Sequence, residues 1–465
     1  MMKKTISMEV INSKCAGIDV GSRSHFVAIG QQDNQVREYG VYAEDLELLC
    51  KWLISENIDS VAMESTGNYW QNLFRELNKY GIEVVLANGK HTKNAKGKKT
   101  DVKDARWIQQ LHSLGLLSSS FLPDDKTEIL RTYCRHRTKM IEQKADCSHK
   151  MQKYLKLLNF RLDVVVRDIT GQTGIKIISQ ICEGILTPEI LAQNRHYNCR
   201  KSEEEISKAL HSNERSDFIF GLKQEYERYK FYKLLISECD EKISEYLTNH
   251  IEKRKLDVDI KQLEKKPYKR INKNTIKGID LNIVSYQFFG GVDLFAIPGV
   301  SHSTVLTIMS ELGEDGFKKF NTAKQFSSWL RLAPNNKISG GKMLSHRVPK
   351  GSGRLKIALR NAANSIGRMK ETDLSRFFAK IAFKKGRQTA ITATARKLAV
   401  IIWNMITKKQ QYEPSSTYLF LDQKRKQIAQ IRKKISKFGI DPNELGIFSR
   451  EKYKVAYEKK LSDNQ

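Results

Sequence analysis

A mixed α/β domain followed by a mainly helical remainder is the fold this sequence predicts, and three observations predict it. Short apolar runs alternate with helically spaced ones between residues 14 and 117. From 124 to about 250 the chain is polar, with apolar residues every three or four positions. After Val284 a further compact stretch begins, punctuated by Pro-Gly and Gly-Gly.

In the first stretch, residues 14–20, 25–29 and 36–42 read as three successive strands, with Gly21-Ser22 as the first turn. Leu46, Leu49, Trp52 and Leu53 mark a helix over 45–55, with Asp45 near its start. A strand at 60–63, a helix over 68–80, a strand at 83–87 and a helix over 102–116 complete the domain. Three strands, then helix, strand, helix, strand, helix is the order of an RNase H-like mixed sheet.

The middle of the chain predicts paired helices. Met151, Tyr154, Leu155 and Leu158 lie on one helical face, and Tyr226, Tyr229, Leu235, Ile236, Cys239 and Ile243 on another. A coiled coil used for dimerisation and a plain helical spacer both fit this pattern. Breaks fall near 168–171 and at Thr187-Pro188, and the stretch 251–279 is dominated by Lys, as an exposed linker or nucleic-acid-contacting arm would be. The expected divisions are therefore 1–122, a mixed-sheet domain; 123–283, helical; 284–408, a mainly helical compact domain; and 409–465, a basic helical tail.

Charge narrows the partners. The 81 Lys and Arg exceed the 52 Asp and Glu by 29, and they are spread along the whole chain, which calls for a polyanion. Nucleic acid leads, because neutralising phosphates releases condensed counterions. No apolar run of about 18 residues is present and the first residues lack a signal peptide's apolar stretch, so a cytoplasmic, nucleoid-associated protein without a membrane partner is expected. Seven cysteines without CxxC spacing read as reduced thiols and not as a zinc site.

Four carboxylates stand where phosphodiester chemistry would need them. Asp19 interrupts the apolar strand Cys15-Ala16-Gly17-Ile18-Asp19-Val20, where a charge is costly unless it is paired or holds a cation. Glu64 closes Val61-Ala62-Met63-Glu64, and Asp101 and Asp104 are three apart at a helix start, on one face of its first turn. In-line attack on a phosphodiester uses two Mg²⁺ ions about 4 Å apart, held by hard oxygen ligands, and four carboxylates can hold two such ions; Mn²⁺ would fit the same donors. Lys98, Lys99 and Lys103 surround the aspartate pair and would draw a phosphate backbone toward it.

Two elements of the later domain suggest further contacts. Ile297-Pro298-Gly299-Val300-Ser301 feeds a helix from about 303 to 312, the pattern of a helix-hairpin-helix element whose backbone N–H groups hold a phosphate at Gly299. Ser339 precedes Gly340-Gly341, so its backbone and hydroxyl are open to close approach, although such a serine is ordinarily a loop residue. Lys342, Arg347, Lys350, Arg354, Lys356 and Arg360 follow, with His346 among them, and no Asp and His pair marks a triad.

Together these motifs resemble the IS110/IS1111 family of insertion-sequence transposases. The resemblance is carried by Gly17-Ile18-Asp19-Val20, Met63-Glu64-Ser65-Thr66-Gly67, Lys99-Thr100-Asp101-Val102-Lys103-Asp104-Ala105, Asp168-Ile169-Thr170-Gly171-Gln172-Thr173-Gly174, Ile297-Pro298-Gly299-Val300 and Ser339-Gly340. It covers most of the chain, excepting the first dozen residues, the Lys-rich stretch and the tail. It implies a RuvC-like catalytic domain, a coiled-coil region and a transposase domain. Asp19, Glu64, Asp101 and Asp104 would be the metal ligands, and Ser339 the nucleophile that joins DNA covalently. It further implies a structured bridge RNA that pairs with donor and target DNA, and a homo-oligomer, dimer or tetramer, in which assembly is part of catalysis. A junction-resolving nuclease using water, and a non-catalytic nucleic-acid-binding scaffold, are the competing expectations.

Overall fold

The computed structural model describes residues 9–30, 35–65, 67–92, 100–254, 260, 263, 271–414 and 421–439. The chain divides into two compact units, Met1–Leu122 and Pro123–Gln465. Lys98, Lys99, about half of the Lys-rich stretch and the last 26 positions of the tail lie outside the described residues.

The first unit is a mixed five-stranded sheet. Strands β1 (Cys15–Val20), β2 (His25–Ile29) and β3 (Gln35–Tyr39) form an antiparallel meander, and β4 (Ser60–Glu64) and β5 (Glu83–Ala87) add in parallel on the other side of β1. The sheet order is β3-β2-β1-β4-β5. Four helices join the strands: α1 (Ala43–Ser55), α2 (Trp70–Lys79), the single turn α3 (Gly89–Thr92) and α4 (Asp101–Ser113).

Strand alternation sorts side chains between the two faces. Ala16, Ile18 and Val20 of β1 and Val61 and Met63 of β4 share a buried core with Leu46, Leu49 and Leu53 of α1 and Leu73 and Leu77 of α2. Cys15, Gly17 and Asp19, and Ser60, Ala62 and Glu64, therefore face the other way, toward α4. This mixed sheet with helices on both faces is consistent with an RNase H-like domain, and its element order is the one expected from the sequence.

The second unit is built on two long antiparallel helices, α5 (Asp125–Leu157) and α10 (Ser216–Arg254). Tyr246 donates from its hydroxyl to the Lys126 carbonyl at one end (2.7 Å), and Tyr226 packs with Met151 in the core at the other. The expected pairing of helices is thus made within one chain. Between them, α6 (Leu162–Val165), α7 (Gln172–Cys182), α8 (Pro188–Ala192) and α9 (Glu203–Lys208) close a core around Phe160, Ile177, Ile178 and Leu191. Asp168 of the Asp-Ile-Thr-Gly motif accepts from the Thr170 N–H (2.9 Å) and hydroxyl (2.7 Å) and binds the Lys273 ammonium (2.6 Å), which fixes the turn into α7.

Buried charges tie α5 to its neighbours. Arg137 pairs with Asp240 of α10 and donates to the Asn274 carbonyl (3.0 Å), so both charges are compensated in a site closed to water. The remaining helices are α11 (Leu281–Phe288), α12 (His302–Leu312), α13 (Ala323–Trp329), α14 (Arg354–Ile366), α15 (Asp373–Lys385), α16 (Arg387–Lys408) and α17 (Leu421–Phe438). Arg135 of α5 forms a two-point pair with Glu311 of α12, at 2.9 and 2.7 Å. The stretch around Ser339 is no simple loop: β6 (Lys337–Ser339) and β7 (Lys342–Ser345) form a hairpin in this otherwise helical unit. The Ile297-Pro298-Gly299 segment follows a 3₁₀ turn, Leu294–Ala296, and leads into α12, which ends at Gly313 with φ +64°.

Two buried histidines make the first unit acid-sensitive. Burial lowers the pKa of His25 and of His112, whose ring contacts the Ser60 hydroxyl at 2.9 Å. A folded pKa below the unfolded value near 6.5 means that the unfolded chain binds protons first, so the stability these groups permit is complete above that value and falls on acidification. Urea unfolding followed between pH 7.5 and 5.5 should show the first unit losing stability as pH drops, and His25→Phe should flatten that slope; an unchanged slope would contradict the assignment.

Candidate active site

The site is assembled by one close approach. A Cβ built on Gly17 would lie 2.1 Å from the Gln109 backbone nitrogen and 2.5 Å from the Ala105 carbonyl oxygen, so α4 rests on β1 backbone to backbone. Only glycine permits this distance. Cys15, two residues earlier, receives the Gln109 side-chain N–H at 3.9 Å. A strand advances by about 6.6 Å in two residues and a helix by about 6 Å in four. Two residues beyond Gly17, Asp19 therefore comes level with the first turn of α4, which holds Asp101 and Asp104.

β4 brings the fourth carboxylate. Cys15 pairs with Ser60, Gly17 with Ala62 and Ile18 with Met63, so Asp19 and Glu64 occupy neighbouring positions at the carboxyl ends of adjacent parallel strands. The Thr92 hydroxyl donates to Glu64 Oε2 at 2.5 Å, and the Trp107 indole donates to the Thr92 carbonyl at 3.0 Å. Thr92 thus links β4 to α4 and fixes the carboxylate. Gly89 makes room, because a Cβ there would come within 2.5 Å of Glu64 Oε1. Thr92, Trp107 and Gly89 carry no signal in their spacing, whereas Gly17 stands in the Gly17-Ile18-Asp19-Val20 motif, two positions before the strand aspartate.

The first turn of α4 is capped by the Thr100 hydroxyl, which accepts from the Lys103 N–H at 3.4 Å. Its two aspartates sit at the positive end of the helix dipole. Asp19, Glu64 and Asp104 are half-buried and Asp101 and Lys103 exposed, so this end of the sheet is open to solvent. The donor set suits a hard divalent cation. As the side chains stand, no three His, Cys, Asp or Glu among the described residues are close enough to hold an ion.

In the second unit, Ser339 and Lys342 end the hairpin strands, joined by Gly340 (φ +53°) and Gly341 (φ +72°) in the two-residue turn that needs positive φ at both positions. Ser339 is exposed, and among the described residues its hydroxyl has no hydrogen-bond partner. Lys342, Arg347, Lys350 and Arg354 are exposed. Lys356 departs from the expected role: it is buried, its ammonium donates to the Pro349 carbonyl at 3.0 Å, and burial lowers its pKa. Arg360 likewise spans α14 and α16 by donating to the Thr392 hydroxyl at 2.6 Å. Gly299 has φ +78° and presses on α14, where a Cβ would meet Ile366 and the Ala362 carbonyl. Gly299, Ser301 and Arg354 nonetheless line one cavity of about 660 Å³.

A family model described as "Transposase", of the IS110 type, matches residues 16–160, and a second, "Transposase IS116/IS110/IS902 family", matches 293–379. The first covers all four carboxylates and the second covers Ser339. These matches support an IS110-family transposase. Among curated relatives, the transposase for insertion sequence element IS1111A of Coxiella burnetii is 29% identical over 121 residues, 25% of this chain and 33% of the relative. A probable family 20 transposase of Pseudomonas aeruginosa is 26% identical over 125 residues, 26% of this chain and 36% of the relative. The chain thus spans about a third of the length of the curated relatives it matches.

The placement of Asp101 and Asp104 beside Asp19 depends on α4 lying against Gly17. Gly17→Ala should cost about 1–3 kcal/mol through overpacking against backbone that cannot move aside. A shift of the urea midpoint of the first unit measures it, and an unshifted midpoint would show that α4 does not seat there.

Proposed function

We propose that this IS110-family chain is a DNA strand-transfer enzyme of an insertion sequence, metal-dependent and serine-mediated. The observation that carries the reading is the gathering of Asp19, Glu64 and the first turn of α4 at one open end of the sheet. These four carboxylates would hold Mg²⁺, or Mn²⁺ in its place, whose charge offsets that developing on a phosphate under attack.

Ser339 supplies the nucleophile. Its oxygen bonds to phosphorus, one DNA oxygen leaves with the proton, and a phosphoserine ester conserves the bond energy until a DNA hydroxyl displaces the serine. No external energy source is needed, because one phosphodiester replaces another. Lys342, Arg347, Lys350 and Arg354 would neutralise the backbone around it. The DNA substrate and a structured bridge RNA that directs it are both polyanions, in keeping with the excess of 29 positive charges. Base pairing would then carry the specificity and the protein would read backbone and shape. Action as a homo-oligomer belongs to the same reading. Among the described residues, no helix is long and apolar enough to cross a membrane.

The test is the covalent intermediate. Full-length protein incubated with Mg²⁺, co-purified RNA and donor DNA should give a protein–DNA adduct on a denaturing gel. Ser339→Ala should abolish the adduct, and Asp19→Asn should reduce its rate by at least about 100-fold. Cleaved ends without any adduct would instead identify a nuclease that uses water.

A further inference from the structure

The β6–β7 hairpin has two unlike faces. Ser339 pairs directly with Lys342, and Lys337 lies two residues from Ser339 on the same side, so this face carries a hydroxyl between two ammonium groups. Ile338 pairs with Met343 on the opposite side. These two are 62% and 57% exposed, and Leu344, the extra residue of a bulge, is 68% exposed. The two strands form a sheet of their own, and nothing packs within 4 Å of where a Cβ would stand on either turn glycine.

Exposing an apolar cross-strand pair costs stability unless the pair meets a partner. The surroundings define that partner's charge. Residues 316–370 contain thirteen Lys and Arg and no Asp or Glu. An acidic partner is therefore indicated, yet one that offers an apolar surface beside its charge. Nucleic acid has both, in its phosphates and its base faces. A two-stranded ribbon fits the major groove of B-form DNA, about 12 Å wide, whereas that of an RNA duplex is too deep and narrow to enter.

We infer that the β6–β7 hairpin is a wedge for duplex DNA, in which the Lys337-Ser339-Lys342 face takes the phosphodiester and the Ile338-Met343 face packs against an opened base step. The inference rests on the reading of Ser339 as the DNA nucleophile and adds how the serine reaches its phosphate. Apolar side chains inserted between base pairs unstack them, and the unstacked step makes the backbone beside it accessible. Leu344, displaced by the bulge, extends the apolar face toward the strand ends.

The experiment uses the full chain without divalent metal, so that no cleavage intervenes, and short duplexes carrying one 2-aminopurine at a flexible TA or CA step. Binding of the wild-type protein should raise 2-aminopurine fluorescence at least roughly twofold as the base unstacks. Ser339→Ala should keep that rise even where it abolishes the covalent adduct, which separates this inference from the chemical role of the serine. The double variant Ile338→Ser/Met343→Ser should lose the rise while its circular dichroism and melting stay those of the wild type. Ile338→Leu/Met343→Leu should retain it. An unchanged rise in the serine double variant would overturn the inference, as would an equal response to an RNA duplex. So would a double variant whose only change is a smaller species in sedimentation, since the apolar face would then join copies of the chain.

Discussion

The contact of α4 with β1 at Gly17 is the constraint on which the site depends. Helix and strand meet there at backbone distance, closer than any side chain allows. The consequence is a fixed level between the two elements: Gln109 beside Cys15, Ala105 beside Gly17, and the first turn of α4 beside Asp19. Parallel pairing of β1 with β4 then sets Glu64 next to Asp19. Thr92, bonded to Glu64 and reached by Trp107, ties β4 to α4 as well. The level of α4 against β1 and of β4 against β1 is therefore supplied by packing.

The second unit solves a different problem. Its long helices are too polar to be held by apolar packing alone, and charge pairs do part of the joining: Arg137 with Asp240, both buried, across α5 and α10, and exposed Arg135 with buried Glu311 across α5 and α12. Each pair is worth keeping mainly because losing one partner would strand a buried charge. On this frame the basic surface of residues 316–370 is left without internal acids to quench it.

Much of the first unit was legible in the sequence because its strands and helices obey burial. β2 and β5 span the residues their apolar pattern indicates, and β1, β4 and α4 differ by a few residues at most. Asp19 and Glu64 stand out because Asp19 interrupts an apolar strand and Glu64 closes one. The hairpin at Ser339 was not legible, since strands of three and four residues with exposed apolar side chains carry no burial pattern to read. Lys356 misled for the opposite reason: its charge suggested a surface, but Leu355, Leu359 and Ala362 place it on the buried stripe of α14, where it reaches the Pro349 carbonyl. Thr92 is 28 residues from Glu64, and such a hydrogen bond has no local signature.

Binding of Mn²⁺ followed by electron paramagnetic resonance tests directly the proposed divalent-cation site of Asp19, Glu64, Asp101 and Asp104. Saturable Mn²⁺ binding is expected, competed by Mg²⁺ and weakened at least about tenfold by Asp104→Asn and by Glu64→Gln in folded protein. Equal Mn²⁺ affinity in wild type and both variants would contradict it.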